Sequence, residues 1–296
     1  MLNAVPGEII REISKALNKD REDEVTLKSF THASGGCINN GGRLSASSGT
    51  FFLKWNSATK YPGMFEAEEK GLKLLGAGQV IRVPVTTITG IADEKAFILM
   101  EYIESRKRQP DYWITLGHQL SALHRIHHSS FGLDHDNYIG SLPQKNNYHT
   151  DWTEFFIVER LERQIKAALD NREASSEMVR RFDKLFSRLN GYFPVEKPSL
   201  IHGDLWSGNL IVDEKGDPCI IDPAVYYGHR EMELSFTKLF GGYDKDFYNS
   251  YEEVFPLEPG FNDRIDLYNL YPLLVHVNLF GGGYINQVNL ILKRFT

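Results

Sequence analysis

The periodicity of the sequence changes near residue 104, and that change restricts the fold more than any single residue does. Before it, residues 26–32, 43–46 and 50–55 are short runs rich in β-branched and aromatic side chains, separated by glycine-rich turns at 34–36 and 39–42. Residues 64–75 then carry apolar side chains at helical spacing, with Glu66, Glu68 and Glu69 in the early turns and Gly76 and Gly78 as stops. Two more strands are expected at 83–88 and 96–102. After the polar stretch 104–109, helical apolar spacing predicts helices over 112–127, 151–169 and 175–192. One segment interrupts this run: 210–212 and 219–221 are short apolar stretches flanking Asp213-Glu214-Lys215-Gly216-Asp217-Pro218, which reads as a β-hairpin. Strands first, helices later and one embedded hairpin predict an α+β, two-lobed chain, with a β-rich lobe at 1–104 and a larger, mostly helical lobe at 105–296.

Bulk properties exclude several classes of partner. The 33 basic and 39 acidic residues give a net charge of −6 without long runs of one sign, so neither nucleic acid nor an anionic membrane surface is expected as a partner. The first residues alternate apolar and charged side chains like a surface helix rather than a signal peptide, and no stretch approaches a membrane span. Cys37 and Cys219 are too few and too far apart for a disulfide framework or a structural zinc site, which favours a reducing cytoplasm. His124, His127 and His128 fall at the end of a predicted helix, where a polar or cationic residue suits the dipole, and are not read as a metal site.

The chemistry concentrates around the hairpin. Pairing its runs with 210 facing 221, 211 facing 220 and 212 facing 219 puts Asn209 opposite Asp222. Directly opposed residues lie about 4.5–5.5 Å apart at Cα, close enough for both oxygen donors to hold one magnesium ion. Asp204, on the loop upstream, is placed to take the proton of an acceptor hydroxyl during attack on a γ-phosphoryl group. Any one of the three reads equally well as a turn or capping residue; the combination does not.

These residues carry a resemblance. His202-Gly203-Asp204 with Asn209, and Asp222 beyond a hairpin, resemble the catalytic and metal-binding loops of the protein-kinase-like, aminoglycoside-phosphotransferase-like superfamily. The longer strings HGDLWSGN and DPAVYYGHREMELSFTKLFGGY are similar to those of the fructosamine (ketosamine) kinase family. The likeness continues through SGGCINNG at 34–41, Lys54, Glu68 and VNLFGGGY at 277–284, almost the whole chain. It implies a protein-kinase-like fold with Asp204 as base, Asn209 and Asp222 as Mg2+ ligands, and ATP as phosphoryl donor. The glycine turn Gly35, Gly36, Cys37, Ile38 and Asn39 would approach the phosphates through its backbone amides. Lys54 would reach the α- and β-phosphates, aimed by Glu68, which the resemblance selects over Glu66 and Glu69. Met100, Glu101 and Ile103 would form the hinge, with backbone groups of Glu101 and Ile103 bonding adenine.

Further expectations follow from the family. Its members phosphorylate the 3-hydroxyl of ketosamines, the ribulosamine, erythrulosamine or fructosamine adducts of free or protein amines, and so act in protein repair by deglycation. Trp206, His229, Arg230, Glu231, Asn278 and Tyr284 are candidates to line the acceptor space, with Trp206 foremost because an aromatic face stacks on sugars; Arg230 and Glu231 read equally as a structural ion pair. Gly203 in place of a protein kinase's arginine, Asp222-Pro223 in place of Asp-Phe-Gly and the lack of an activation loop argue against control by loop phosphorylation. A thiolate at Cys37 would be favoured among phosphate-binding amides, making oxidation there a block to ATP. The enzyme is expected as a monomer or weak dimer. Competing readings are a small-molecule kinase for an aminoglycoside, choline or homoserine, and a nucleotide-binding pseudokinase scaffold, against which stands the presence of Lys54, Glu68, Asp204, Asn209 and Asp222 together.

Overall fold

The computed structural model describes residues 2–19, 23–33 and 39–296. It divides into two compact units, Met1–Pro110 with Ile211–Ile221, and Asp111–Leu210 with Asp222–Thr296. The first begins with α1 (Gly7–Asn18), β1 (Leu27–His32), β2 (Asn40–Ala46), β3 (Gly49–Ser57), α2 (Met64–Ala77), β4 (Thr86–Ala92) and β5 (Lys95–Glu101). The strands form one antiparallel sheet in the order β1-β2-β3-β5-β4.

Alternation along the strands assigns the two faces of this sheet. Leu53, Trp55, Phe97 and Leu99 pack with Ile9, Ile13 and Leu17 of α1. Ala96, Ile98 and Met100 lie with Phe65 and Leu72 of α2. Lys54 is paired with Ile98 and therefore belongs to the α2 side. The N-terminal segment, expected as a surface helix, buries a stripe of isoleucine and leucine. β4 starts at Thr86 rather than at 83, because Pro84 has no N–H to give a ladder and the β-branched run begins after it.

The chain continues through α3 (Tyr112–His124), β6 (Asn137–Ile139), β7 (Leu142–Gln144), α4 (Trp152–Phe155), a π-helix (Phe156–Glu162), α5 (Arg163–Asp170) and α6 (Ser176–Leu189). There follow β8 (Ser199–Ile201), β9 (Leu210–Val212), β10 (Pro218–Ile220), β11 (Tyr226–Gly228), α7 (Arg230–Leu239), α8 (Lys245–Val254), α9 (Phe261–Phe280) and α10 (Tyr284–Phe295). The helix expected at 151–169 is thus interrupted by a π-helical stretch in which Arg160 is fully buried. No described helix is long and apolar enough to cross a membrane.

The β9–β10 hairpin, expected in the helical lobe, groups instead with the first unit, and the other division falls at 110/111 rather than 104/105. Hydrogen bonds explain the grouping. The Ile220 amide donates to the Arg82 carbonyl at 3.0 Å, and the Gln109 amide donates to the Gly216 carbonyl at 3.1 Å. The Arg82 guanidinium binds Glu101 at 2.7 Å and Glu214 at 3.2 Å, with Asp213 at 3.7 Å. Cys219 of β10 is fully buried beside Arg82, and burial pushes its thiol up to about 12, so it is inert rather than reactive.

In the second unit α3 and α8 approach closely at Gly117, where a Cβ would lie 2.6 Å from the Phe247 carbonyl oxygen and 2.9 Å from the Tyr251 amide nitrogen. Both obstacles are backbone and cannot swing aside. Gly117→Ala is expected to destabilise the protein by about 1–3 kcal/mol in denaturant unfolding, the usual cost of overpacking; an unchanged midpoint would show that the two helices separate freely.

Candidate active site

β8 and β11 pair antiparallel, Ile201 opposite Tyr226 and Ser199 opposite Gly228. Beyond the paired strands the Ala224 amide donates to the His202 carbonyl at 2.9 Å, so the loop leaving β8 runs beside the segment entering β11. Gly203 permits this crossing. Its φ is +83°, and a Cβ there would collide with the Ala224 carbonyl oxygen. The Gly203 amide donates to Glu233 Oε1 of α7 at 2.9 Å, and the Asp204 amide to His202 Nδ1 at 3.2 Å.

The loop then folds back in a 3-10 turn, Ser207–Asn209, which returns Asn209 to Asp204. Asn209 Nδ2 donates to the Asp204 carbonyl at 2.8 Å and to Asp204 Oδ2 at 2.9 Å. With both hydrogens engaged there, amide geometry turns Asn209 Oδ1 away from Asp204. Asp222 holds a left-handed φ of +55°, uncommon for a residue with a side chain. Burial is the largest influence on the Asp204 carboxyl and holds it well above the usual carboxylate range; the Asn209 hydrogen bond pulls it down, and the charges of Asp222 and Glu233 push it up further. Asp204, Asn209 and Asp222 offer between them two carboxylates and an amide oxygen, the kind of donor that magnesium prefers.

The hairpin does not bring these residues together in the expected register. The Asp213 amide donates to the Asp217 carbonyl at 2.8 Å, so a three-residue turn pairs 213 with 217, 212 with 218 and 210 with 220. Asn209 then falls opposite Ile221 rather than Asp222. The expected register requires an even-numbered turn, whereas Gly216, at φ +90°, closes an odd one. The β8–β11 ladder and the Ala224–His202 bond instead bring the segment after Asp222 alongside the loop before Asp204.

A buried polar chain supports the loop from below. Glu233 accepts the Gly203 amide with one oxygen and lies 2.8 Å from His124 Nε2 with the other; His124 Nδ1 is 2.8 Å from the Tyr251 hydroxyl. His124 ends α3 as expected, and there it is fully buried and supports the Asp204 loop through Glu233. His127 lies 3.2 Å from the Pro198 carbonyl, and His128 stacks on Tyr148 and Tyr227. Nothing in the spacing of the charged string Arg230, Glu231 and Glu233 marks which of them turns toward the loop.

In the first unit Lys54 Nζ binds Glu68 Oε1 at 2.7 Å, with both side chains about one-tenth exposed. Glu69 is engaged by Lys73 at 2.6 Å and Thr89 at 2.7 Å. Asn39 accepts from Asn56 Nδ2 at 2.9 Å; Gly35, Gly36, Cys37 and Ile38 lie outside the described residues. At the expected hinge Met100 is buried within β5 and Ile103 is buried beyond it. The Glu101 amide donates to the Val85 carbonyl at 2.8 Å, and its side chain is held by Arg82.

The acceptor candidates separate. Trp206 is 41% exposed on the Asp204 loop. Tyr284, at the start of α10, joins an aromatic group with His276 at 5.1 Å, while His276 lies 4.7 Å from Phe240 and 5.5 Å from Phe280. His229 and Arg230 do not line an open surface. His229 is buried, stacked on Trp152 at 4.5 Å and 3.0 Å from the Tyr268 hydroxyl, and burial, then Arg264 and Arg230, hold its imidazole well below the usual range. Arg230 is buried on Glu196 at 2.7 Å, and Glu231 pairs with Arg264 at 2.5 Å, so the two neighbours form separate ion pairs. Asn278 Nδ2 donates to the carbonyl and side chain of Gln164 at 2.9 and 2.8 Å.

Glu233→Ala strands the Gly203 amide and His124 together. The expected loss is about 1–3 kcal/mol for each stranded group in denaturant unfolding; a loss under roughly 0.5 kcal/mol, the range of neutral surface changes, would mean that Glu233 does not support the loop.

Comparisons with known proteins identify the family. The family model for fructosamine kinase matches residues 9–296. A Synechocystis protein assigned as a ketoamine kinase is 41% identical over 95% of this chain and 95% of its own. A chloroplastic protein-ribulosamine 3-kinase of Oryza sativa subsp. indica is 42% identical over 88% of this chain and 77% of its own. The crystal structure of a Haemophilus somnus protein assigned to the fructosamine-3-kinases superposes with a TM-score of 0.85 at 27% identity, covering 96% of each chain. With a matching family model across nearly its full length and relatives about 40% identical over most of the chain, the chain belongs to the fructosamine kinase family.

Proposed function

We propose that this chain is a cytoplasmic, ATP- and magnesium-dependent kinase that phosphorylates the 3-hydroxyl of ketosamines and so takes part in protein deglycation. The observation that carries the reading is the Asn209 side chain bonded to Asp204 at 2.9 Å, with Asp222 held in a left-handed turn nearby. The relatives' names support the acceptor class, and the sparse cysteines support the compartment.

Each residue then has a task. Asp204 accepts the proton of the 3-hydroxyl as that oxygen bonds to the γ-phosphorus and the bond to the β-phosphate oxygen breaks, releasing ADP. A carboxyl held above the usual range is the better base for this purpose. Asn209 orients the Asp204 carboxylate through Nδ2 and, with Asp222, would hold magnesium through oxygen. When bound there, magnesium offsets the charge of the phosphate oxygens. Lys54, aimed by Glu68, meets the α- and β-phosphates. Asn39 meets the phosphates, and the Glu101 carbonyl with the Ile103 amide holds adenine.

The acceptor lies against aromatic rings. Trp206 flanks Asp204 directly, and a Cβ on Gly242 would come within 2.8 Å of Ser207 Cβ, so the chain after α7 touches the same loop. Phe240, His276, Phe280 and Tyr284 extend this surface and suit the apolar faces of a sugar.

Incubation with magnesium ATP and lysine carrying ribulosyl, erythrulosyl or fructosyl groups is expected to yield the 3-phosphate of at least one adduct; turnover of choline alone would reject the assignment. Asp204→Asn is expected to lower kcat by a factor of about 10²–10⁴, the usual share of a general base, with nucleotide affinity within threefold of the parent enzyme. Retained turnover would remove Asp204 as the base.

A further inference from the structure

The β6–β7 hairpin carries three buried amide side chains next to the segment that follows Asp222. β6 and β7 pair Asn137 with Gln144, and Asn146 lies just beyond. All three are less than 5% exposed. Asn137 Nδ2 donates to the Val225 carbonyl at 2.8 Å; Gln144 Nε2 donates to the Ala224 carbonyl at 3.0 Å and to Asn137 Oδ1 at 2.7 Å. Asn146 Nδ2 donates to the same Asn137 oxygen at 3.1 Å, and Tyr271 donates its hydroxyl proton to Gln144 Oε1 at 2.6 Å.

The orientation of each amide is set by one cation. Arg160 of the π-helix is fully buried, its guanidinium 3.9 Å from the Tyr226 ring centroid, and Nη2 donates to Asn146 Oδ1 at 2.7 Å. A guanidinium only donates, so Asn146 must present oxygen to it and nitrogen to Asn137. Asn137 must then present oxygen to Asn146 and Gln144 and nitrogen to Val225. Gln144 is left with nitrogen toward Asn137 and Ala224. The relay therefore ends with two donors clamped on the carbonyls of the two residues that begin two positions after Asp222. Ala224 is also the residue whose amide holds His202.

We propose that Gln144 and Asn137 are positioning residues for the metal-binding carboxylate, holding Asp222 in its left-handed turn through the carbonyls of Ala224 and Val225. The role rests on the reading of Asp222 as a magnesium ligand. Loss of either donor leaves a buried carbonyl unpaired and lets the 222–225 segment shift, which weakens the metal site before it disturbs the nucleotide.

The test measures metal affinity directly. Mn2+ is titrated into the full chain in the presence of AMP-PNP and free ion is followed by electron paramagnetic resonance, for wild type, Gln144→Met, Asn137→Ser and Asp222→Asn. Gln144→Met and Asn137→Ser are expected to weaken Mn2+ binding about tenfold, the low end for residues supporting metal ligands, while AMP-PNP affinity in EDTA stays within twofold. A merely structural role lowers the unfolding temperature of both variants and leaves Mn2+ affinity within twofold of wild type, which overturns the proposal. Should one variant fail to fold, the other decides. Wild-type Mn2+ affinity in Asp222→Asn would instead overturn the metal assignment itself, and the positioning role with it.

Discussion

The hydrogen bond from the Ala224 amide to the His202 carbonyl joins two stretches of chain 22 residues apart in sequence that carry Asp204, Asn209 and Asp222. Without it Asp204 and Asp222 belong to unrelated loops. The bond forms only where a backbone can pass another backbone at contact distance, and that requirement makes residue 203 a glycine. The same crossing sets the surroundings of Asp204. Burial of Asp204 and the charges of Asp222 and Glu233 disfavour its ionised form and hold its carboxyl above the usual range.

Holding that crossing in place falls to buried polar groups rather than to apolar packing alone. Glu233 and His124 meet the loop from α7 and α3, and the amides of the β6–β7 hairpin meet the opposing segment. Each such group costs free energy if its partner is lost, by about 1–3 kcal/mol for a stranded neutral donor or acceptor. Networks of this kind tolerate few arrangements, so they specify geometry more sharply than a leucine core does. The first unit uses the same device on a smaller scale: a buried Lys54–Glu68 pair on the α2 side of a sheet whose opposite side is covered by α1.

The sequence was legible wherever chemistry and local pattern coincide. The order of strand lysine, helix glutamate and later loop aspartate marks the chain because each residue sits at a recognisable place in a strand, helix or hairpin. The register of β9 and β10 was not legible, since a one-residue change in turn length slides every pair and depends on how Gly216 bends. His229 and Arg230 look functional beside the loop motif, yet charged side chains are also buried when partners such as Glu196 and Tyr268 come from distant elements. Gln144 and Asn137 carried no signal at all. Short polar residues in a three-residue strand have no periodicity, and their partners are backbone carbonyls, which no sequence displays.

In the proposed function Asp204, Asn209 and Asp222 form one centre. A crystal of the chain grown with Mn2+ and AMP-PNP, measured at a wavelength where manganese scatters anomalously, tests it most directly. An anomalous peak at roughly 2 Å from Asn209 Oδ1 and an Asp222 carboxylate oxygen, the distance expected for a small hard cation, is the predicted result. A peak coordinated by the nucleotide and other side chains, with Asn209 and Asp222 both turned away, would contradict it.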